Sequence, residues 1–271
     1  MKWTSLFNKT ENISAAAAKE YIAEKSQTSF QLIDVRQPKE YQEQHLPGAV
    51  LIPLNELKER LGECIPNLPT IVYCRSGVRS KAACQILQDH NFTEVLNLSG
   101  GILQWQGSTA HGSEAFGLDF FIQGNYGNGF EIAYHLEKGL QQFYLLLAKE
   151  ASSQGITDLL QKMAQMEEGH MALLIAQSKN AGLQIKTSSH SSGIIEGGLS
   201  LTQLQTAFGD NIKTREAVLQ LAMMLEAQAW DLYSRLARIS TKEIEQEFYQ
   251  QMSVEEQKHL DKLTAELDNL L

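Results

Sequence analysis

The chain has 271 residues, 43% of them hydrophobic and 20% charged, with a net charge of −9 at pH 7; this is the composition of a globular protein long enough for two domains. The acidity argues against a nucleic-acid partner, whose phosphates bind basic surfaces, and no apolar run reaches the roughly 20 residues that span a membrane. The first residues carry neither the apolar segment nor the cleavage site of an export signal, so we expect a cytoplasmic protein whose three cysteines are reduced thiols.

The first part of the chain alternates short apolar runs with helical patterns. Four runs are typical of buried strands, and they lie at 31–35, 49–52, 70–73 and 94–98. Helical patterns lie at 14–25 and 80–89. Strands separated by helices predict an α/β domain with a mainly parallel sheet, covered on both faces, whose chemistry lies in the loops after the strand C-termini.

One such loop holds a cysteine, directly after the strand at 70–73. Cys74 is followed by Arg75, Ser76, Gly77, Val78 and Arg79, and then by a helix. The N–H groups of this turn and the positive end of the helix are expected to lower the pKa of the thiol, and the two arginines add charge for an anionic substrate or a persulfide. Cys64 and Cys84 lack this loop, and we interpret them as structural.

Residues 12–107 resemble the single-domain rhodanese family of sulfurtransferases. Three further segments carry the resemblance: Asp34-Val35-Arg36 followed by Glu40-Tyr41, His45-Leu46-Pro47-Gly48-Ala49, and Gly100-Gly101 before Trp105. The resemblance implies that Cys74 takes a sulfane sulfur from a small donor as a persulfide and passes it to a thiol acceptor, while the backbone of 75–79 cradles the outer sulfur. We interpret Asp34, Arg36 and His45 as scaffold residues. This rhodanese-like domain is placed at residues 1–107.

The second part of the chain has a different composition. All five prolines fall in the first 69 residues. Residues 1–110 carry 11 basic and 11 acidic residues, whereas residues 111–271 carry 12 and 21. Between the two parts, we interpret the Gly-rich stretch 108–129 as a linker with one docking segment, because its aromatic residues are too apolar for a free tether: Phe116, Phe120 and Phe121.

Four long helical patterns follow the linker. They lie at about 130–151, 157–180, 213–239 and 241–269. Ser240 with Glu243 predicts a capping box that begins the last helix. Two helical hairpins joined by the long connection 181–212 predict a ferritin-like four-helix bundle over residues 130–271.

An internal repeat marks this bundle. A shift of 89 residues places Glu137 on Glu226, Tyr144 on Tyr233, Glu167 on Glu256, and His170 on His259. Each half therefore has one Glu on its first helix and a Glu-x-x-His on its second. Residues i and i+3 share a helix face, so that a carboxylate and an imidazole there can bind one ion. Four carboxylates and two imidazoles directed to the bundle axis predict two metal ions per chain, since buried carboxylates repel one another without cations.

The mixed oxygen and nitrogen donors suit iron or manganese better than calcium or zinc. We expect iron, with manganese or zinc possible in purified protein. Residues 130–269 resemble the rubrerythrin and ferritin-like di-iron family, and the resemblance implies that Glu167 and Glu256 bridge the two metals. It makes Glu137 and Glu226 terminal ligands, and each histidine caps one metal. The repeated tyrosines are expected beside the ligands.

Two features depart from the rubrerythrin pattern. Ala229 stands where rubrerythrin has a further Glu, which counts against rubrerythrin-type peroxidase chemistry. No cysteine follows Cys84, so the chain lacks a rubredoxin-type iron centre and the metal pair needs an external electron donor.

Two functions remain open for the joined halves. In the first, the metal pair acts in a redox enzyme that reduces O2 or peroxide, or oxidises a sulfur species that Cys74 delivers. In the second, the bundle stores or senses iron while the rhodanese-like half supplies sulfur or binds a partner, without redox turnover. We expect a symmetric homodimer, because related bundles pair through helix faces.

Overall fold

The computed structural model describes residues 10–25, 27–118, 126–187 and 212–270, together with 194, 195, 199, 200, 202, 204 and 208. The chain divides into two compact units, Met1–Glu114 and Ala115–Leu271. The first is an α/β domain and the second is built on long helices, which confirms the predicted fold class. In the described part of the chain, every helix is too short or too polar to cross a membrane.

A five-stranded sheet organises the first unit. Its strands are β1 (Glu11–Ile13), β2 (Gln31–Asp34), β3 (Val50–Leu51), β4 (Thr70–Tyr73) and β5 (Val95–Leu98). They lie in the order β1-β5-β4-β2-β3, and each neighbouring pair is parallel. The sequence predicts β2 to β5 to within one residue, but it does not predict β1, in which only Ile13 is apolar. The central strand β4 is buried along its whole length and leads directly into Cys74.

Three helices accompany the sheet: α1 (Ala15–Glu24), α2 (Pro38–Glu43) and α3 (Val78–Asp89). The hydroxyl of Ser14 caps α1 by accepting the N–H of Ala17 at 3.2 Å. The sequence does not predict α2, because six residues are too few to show a helical period. α3 begins two residues before its predicted start, directly after Gly77, whose φ of 88° lies in the left-handed region that glycine tolerates.

The second unit contains four long helices. They are α4 (Gly129–Glu150), α5 (Gln154–Asn180), α6 (Arg215–Ile239) and α7 (Glu243–Asp268). α4 packs along α5 and α6 packs along α7, so that the unit consists of two helical hairpins. The long connection between the hairpins carries two short antiparallel strands, β6 (Ile194–Ile195) and β7 (Leu199–Ser200), which the sequence analysis does not predict.

Two apolar clusters fill this unit. One includes Phe143, Leu160, Leu225 and Leu263, and the other includes Phe130, Leu174, Leu232 and Phe248. On each of the four helices, the predicted metal ligands occupy the positions between the two clusters. The bundle therefore has a polar layer between two apolar ones.

The predicted capping box of the last helix is wrong. α6 continues to Ile239, and the N–H of Ser240 closes its end by donating to the carbonyl of Leu236 at 3.0 Å. Because Ser240 ends α6, it cannot begin α7, and the N-cap position belongs to Lys242, which makes no side-chain cap.

The predicted docking segment is described only in part. The carbonyl of Phe116 accepts a hydrogen bond from Nη1 of Arg235 on α6 at 2.6 Å. Arg235 is buried and also donates through Nε to the buried carboxylate of Asp231 at 2.8 Å. Phe120 and Phe121 lie outside the described residues.

Candidate active cysteine and metal centre

Cys74 lies at the carboxyl end of β4 and is 1% exposed. Its Sγ accepts the N–H of Gly77 at 3.2 Å and faces the hydroxyl of Ser80 at 3.4 Å. The N–H groups of Ser76 and Ser80 also donate toward the sulfur. Burial alone would raise the pKa of Cys74, but these donors outweigh it and lower the pKa below its ordinary value. The site therefore favours the nucleophilic thiolate.

A second loop holds the cysteine loop in this conformation. The N–H of Ile102 donates to the carbonyl of Cys74 at 2.9 Å, and the N–H of Leu103 donates to the carbonyl of Arg75 at 3.1 Å. Gly101 makes this approach possible, because a Cβ there would lie 2.3 Å from the Cys74 carbonyl oxygen. With its carbonyls bound on the outside, the loop presents N–H groups to the sulfur.

The loop side chains contribute less than its backbone. Arg75 and Ser76 are exposed, and Val78 is 73% exposed. Arg79 forms two hydrogen bonds, at 2.7 and 2.8 Å, with the carboxylate of Glu40 on α2. The positive charge of Arg79, which the sequence assigns to an anionic substrate, is therefore neutralised by the carboxylate of Glu40.

This ion pair also fixes the charge of Glu40. The hydrogen bonds from Arg79 lower the pKa of Glu40 from 4.5 to about 2. The sequence alone does not indicate that Glu40 is the partner of Arg79, because the two residues are 39 positions apart in the chain. The contact of Ser80 with the sulfur was not predicted either, although Ser80 lies in the first turn of the helix that follows the loop.

The other two cysteines have the opposite environment. Burial raises the pKa of Cys64 to about 11 and that of Cys84 to about 12. Both lie in the hydrophobic core of the first unit, so their thiols stay protonated and unreactive near neutral pH.

The three residues interpreted as scaffold are buried. Nη2 of Arg36 lies 2.7 Å from the carboxylate of Asp34, and the N–H of Arg36 donates to the same carboxylate at 2.9 Å. The ring of His45 stacks on that of Tyr41, with 3.7 Å between ring centroids. These contacts fix the ends of β2 and α2.

The six predicted metal ligands lie in two groups of three in the second unit. One group consists of Glu137 on α4 with Glu167 and His170 on α5. The other consists of Glu226 on α6 with Glu256 and His259 on α7. Within each group one donor atom of every residue lies within 4.8 Å of the others. The two imidazole rings are stacked, with their centroids 4.2 Å apart, so the two groups adjoin.

The two groups repeat the same geometry. Nδ1 of His170 lies 2.9 Å from Glu167 Oε2 and 3.3 Å from Glu137 Oε2. Nδ1 of His259 lies 3.2 Å from Glu256 Oε2 and 3.6 Å from Glu226 Oε2. The 89-residue sequence repeat thus corresponds to two similar sets of two carboxylates and one imidazole.

The electrostatics of this layer fit a pair of cations. Burial, together with the neighbouring Glu137 and Glu226, raises the pKa of Glu167 well above its ordinary value, although His170 opposes this. Burial alone would lower the pKa of His170, but Glu137 and Glu167 raise it to about 12. The buried Oε2 of Glu226 receives no hydrogen bond from the described residues. Four buried carboxylate groups and two imidazoles form a donor set that suits two divalent transition-metal ions.

Two further predictions concern the surroundings of the ligands. Tyr144 and Tyr233 are fully buried, each in one of the two apolar clusters that flank the ligand layer. Ala229 is also fully buried, so no carboxylate enters the layer from that position of α6.

Other acidic and histidine residues near the motifs point away from the ligands. Nε2 of His135 lies 3.1 Å from the carbonyl of Lys186. Glu168 is exposed, and Glu255 is bound by Lys258 at 2.7 Å. These residues have the structural or solvated roles expected from their helical positions.

Two family models match the chain. A model described as a rhodanese-like domain matches residues 14–108, and one described as rubrerythrin matches residues 128–267.

Individual relatives match the first half. The uncharacterized protein YqhL of Bacillus subtilis is 46% identical over 77 residues, which are 28% of this chain and 61% of YqhL. Thiosulfate sulfurtransferase PspE of Escherichia coli is 44% identical over 70 residues, which are 25% of this chain and 67% of PspE. The chain thus spans less than two thirds of YqhL. A solved structure described as rhodanese with anions from E. coli is 37% identical with a TM-score of 0.29, covering 30% of this chain and 98% of that one.

Proposed function

Because the chain belongs to the rubrerythrin family through residues 128–267 and carries a rhodanese-like domain at 14–108, we propose that it is a sulfurtransferase joined to a dinuclear metal centre. The observation that supports sulfur transfer is the buried Cys74 sulfur, which faces loop N–H groups and the Ser80 hydroxyl. The name of PspE, a thiosulfate sulfurtransferase, supports the same reaction for this chain.

Sulfur transfer proceeds in two substitutions at sulfur. The Cys74 thiolate attacks the sulfane sulfur of a donor such as thiosulfate, whose S–S bond breaks, and sulfite leaves with the electron pair. Cys74 then carries the outer sulfur as a persulfide. An acceptor thiolate attacks that sulfur, the S–S bond to Cys74 breaks, and Cys74 leaves as a thiolate while the acceptor becomes a persulfide. The loop N–H groups stabilise the negative charge on sulfur in both steps.

Three serine variants test this activity. Cys74→Ser is expected to abolish the transfer of sulfur from thiosulfate to cyanide. Cys64→Ser and Cys84→Ser are expected to retain it, because burial keeps those thiols protonated. Equal loss in all three variants, with folding retained by circular dichroism, would contradict the assignment.

For the helical half, we propose that the six ligands hold two metal ions, with iron as the resident metal and manganese or zinc as alternatives in purified protein. When bound, a pair of iron ions supplies redox chemistry toward O2 or peroxide, or toward a sulfur species. The protein's part is to keep the four carboxylates, each at most 3% exposed, away from water. Because no cysteine follows Cys84, the electrons come from an external donor.

The alternative is a bundle that stores or senses iron without turnover. The buried Ala229 favours it, since a carboxylate is missing where rubrerythrin has one. Metal analysis followed by anaerobic peroxide titration separates the two functions. About two ions per chain with peroxide-dependent turnover supports the redox enzyme, and the same loading without turnover supports storage or sensing.

We also propose that the protein is a symmetric homodimer in the cytoplasm. Its proposed partners are a small sulfur donor and a thiol acceptor, and we propose that it binds neither nucleic acid nor a membrane. Exposed aliphatic side chains occur on both helices of the α4–α5 hairpin and support the dimer, namely Leu145, Leu173 and Ile175. Light scattering at micromolar concentration tests the dimer, and a monomer would contradict it.

A further inference from the structure

The hydroxyl of Ser80 lies between two acceptors. Ser80 is fully buried in the first turn of α3. Its Oγ lies 3.4 Å from Sγ of Cys74 and 2.6 Å from Oδ1 of Asn97. A hydroxyl carries a single hydrogen, so Ser80 cannot donate to the sulfur and to Asn97 at the same time.

The orientation of Asn97 is set by a neighbouring strand. Asn97 lies on β5 and is 4% exposed, and it is paired in the sheet with Asn12 on β1. Its Nδ2 donates to Oδ1 of Asn12 at 2.8 Å. The other end of the amide, the acceptor Oδ1, therefore faces Ser80. Rotating the amide would break its bond to Asn12.

Building on Cys74 as the proposed sulfur carrier, we propose that Asn97 is a positioning residue for Cys74 that acts through Ser80, because it competes with the sulfur for the single hydroxyl hydrogen. While Cys74 is a thiol, its S–H donates to Ser80 Oγ, and Ser80 donates to Asn97. Once Cys74 has lost its proton, Ser80 donates to the thiolate only by giving up its bond to Asn97. Asn97 thus opposes formation of the thiolate that Ser80 favours.

Other charged or titratable groups lie near Cys74. They are Arg75, the next residue, Arg79 paired with Glu40, and Cys84, which is a neutral thiol near pH 7. All of these stay in place in the variants below, so a change in Cys74 reactivity reports the hydrogen-bond competition.

The test measures the rate of alkylation of Cys74 by iodoacetamide against pH in the full chain, followed by mass spectrometry of the Cys74 peptide. Ser80→Ala is expected to raise the midpoint of this profile by about one pH unit, since it removes a hydrogen bond to the charged sulfur. Asn97→Ala is expected to lower the midpoint by about half a pH unit. Asn67→Ala, at an exposed asparagine of the same unit, is the matched control and leaves the midpoint unchanged.

The double variant Ser80→Ala with Asn97→Ala isolates the route of the effect. Its midpoint is expected to equal that of Ser80→Ala alone, because Asn97 has nothing to compete for without the hydroxyl. Asn97→Val, which suits a strand, repeats the test should the alanine variant fail to fold. The proposal is overturned if the folded Asn97 variants leave the midpoint unchanged or raise it. It is also overturned if Asn97→Ala lowers the midpoint by the same amount in the Ser80→Ala background as in the unmodified chain. Since alkylation needs no sulfur donor, absence of sulfur transfer would count against the proposed function and not against this inference.

Discussion

Replacing Glu40 with glutamine removes the charge that pairs with Arg79 at the end of the cysteine loop. The exchange is nearly isosteric, and a glutamine at this position can still accept the N–H of Gln37 that begins α2. Any loss of stability in this variant therefore measures the ion pair with Arg79 and not the cap of α2. A pKa lowered from 4.5 to about 2 corresponds to about 3 kcal/mol if solvent did not screen the pair.

Solvent does screen this pair. The side chain of Glu40 is 29% exposed and that of Arg79 is 34% exposed, so we expect Glu40→Gln to cost the first unit about 1 kcal/mol at pH 7. Because the folded pKa of Glu40 lies below its unfolded value, this stabilisation is present above about pH 4.5 and disappears as the pH falls to about 2.

Hydrogen exchange in increasing urea, followed on peptides of residues 10–114 in the full chain, measures this cost. Glu43→Gln is the matched control, since Glu43 is an exposed carboxylate on the same helix. A loss that is equal for both variants at pH 7, or equal at pH 7 and pH 3 for Glu40→Gln, would refute the reasoning.

Three further predictions follow from the sites. Glu256→Gln is expected to reduce metal content, measured by elemental analysis, to about one ion per chain or fewer, whereas the neighbouring Glu255→Gln keeps full loading; unchanged loading in Glu256→Gln would remove it from the ligand set. Gly101→Ala, at φ 59° and against the Cys74 carbonyl, is expected to destabilise the first unit by about 1–3 kcal/mol and to reduce thiosulfate turnover. Gly62→Ala, with no atom within 4 Å of the new Cβ, is expected to change neither. Thermal unfolding measures the stability of both variants, and the thiosulfate assay measures their turnover. If Cys74 passes sulfur to the metal centre, the intact iron-loaded protein with a sulfane-sulfur donor consumes peroxide faster than its Cys74→Ser variant or a mixture of separated halves, and equal rates would exclude the exchange.

Features that repeat in the sequence, or that consist of one continuous run of residues, could be predicted from the sequence. Buried parallel strands are continuous apolar runs, so β2 to β5 are predicted closely. The two ligand groups are predicted because Glu-x-x-His occurs twice at one offset, and helical spacing alone puts its two side chains on one face. Short elements with no period, β1 and α2, escape this kind of reasoning.

Contacts between distant segments could not be predicted in the same way. The pairing of Arg79 with Glu40 depends on where α2 lies after the sheet has formed. The contact of Ser80 with Asn97 depends on which strand is the neighbour of β4. No local pattern encodes either position, because both follow from strand order and register.

The division of the ligands between the hairpins affects how the centre assembles. Glu137 and His170 are only 33 residues apart and belong to one hairpin, and the second hairpin repeats the arrangement. Closing a hairpin costs less chain entropy than bringing both hairpins together across residues 181–212. We therefore expect each hairpin to gather its three donors before the hairpins meet, so that the last step in assembly is the docking of two half-sites.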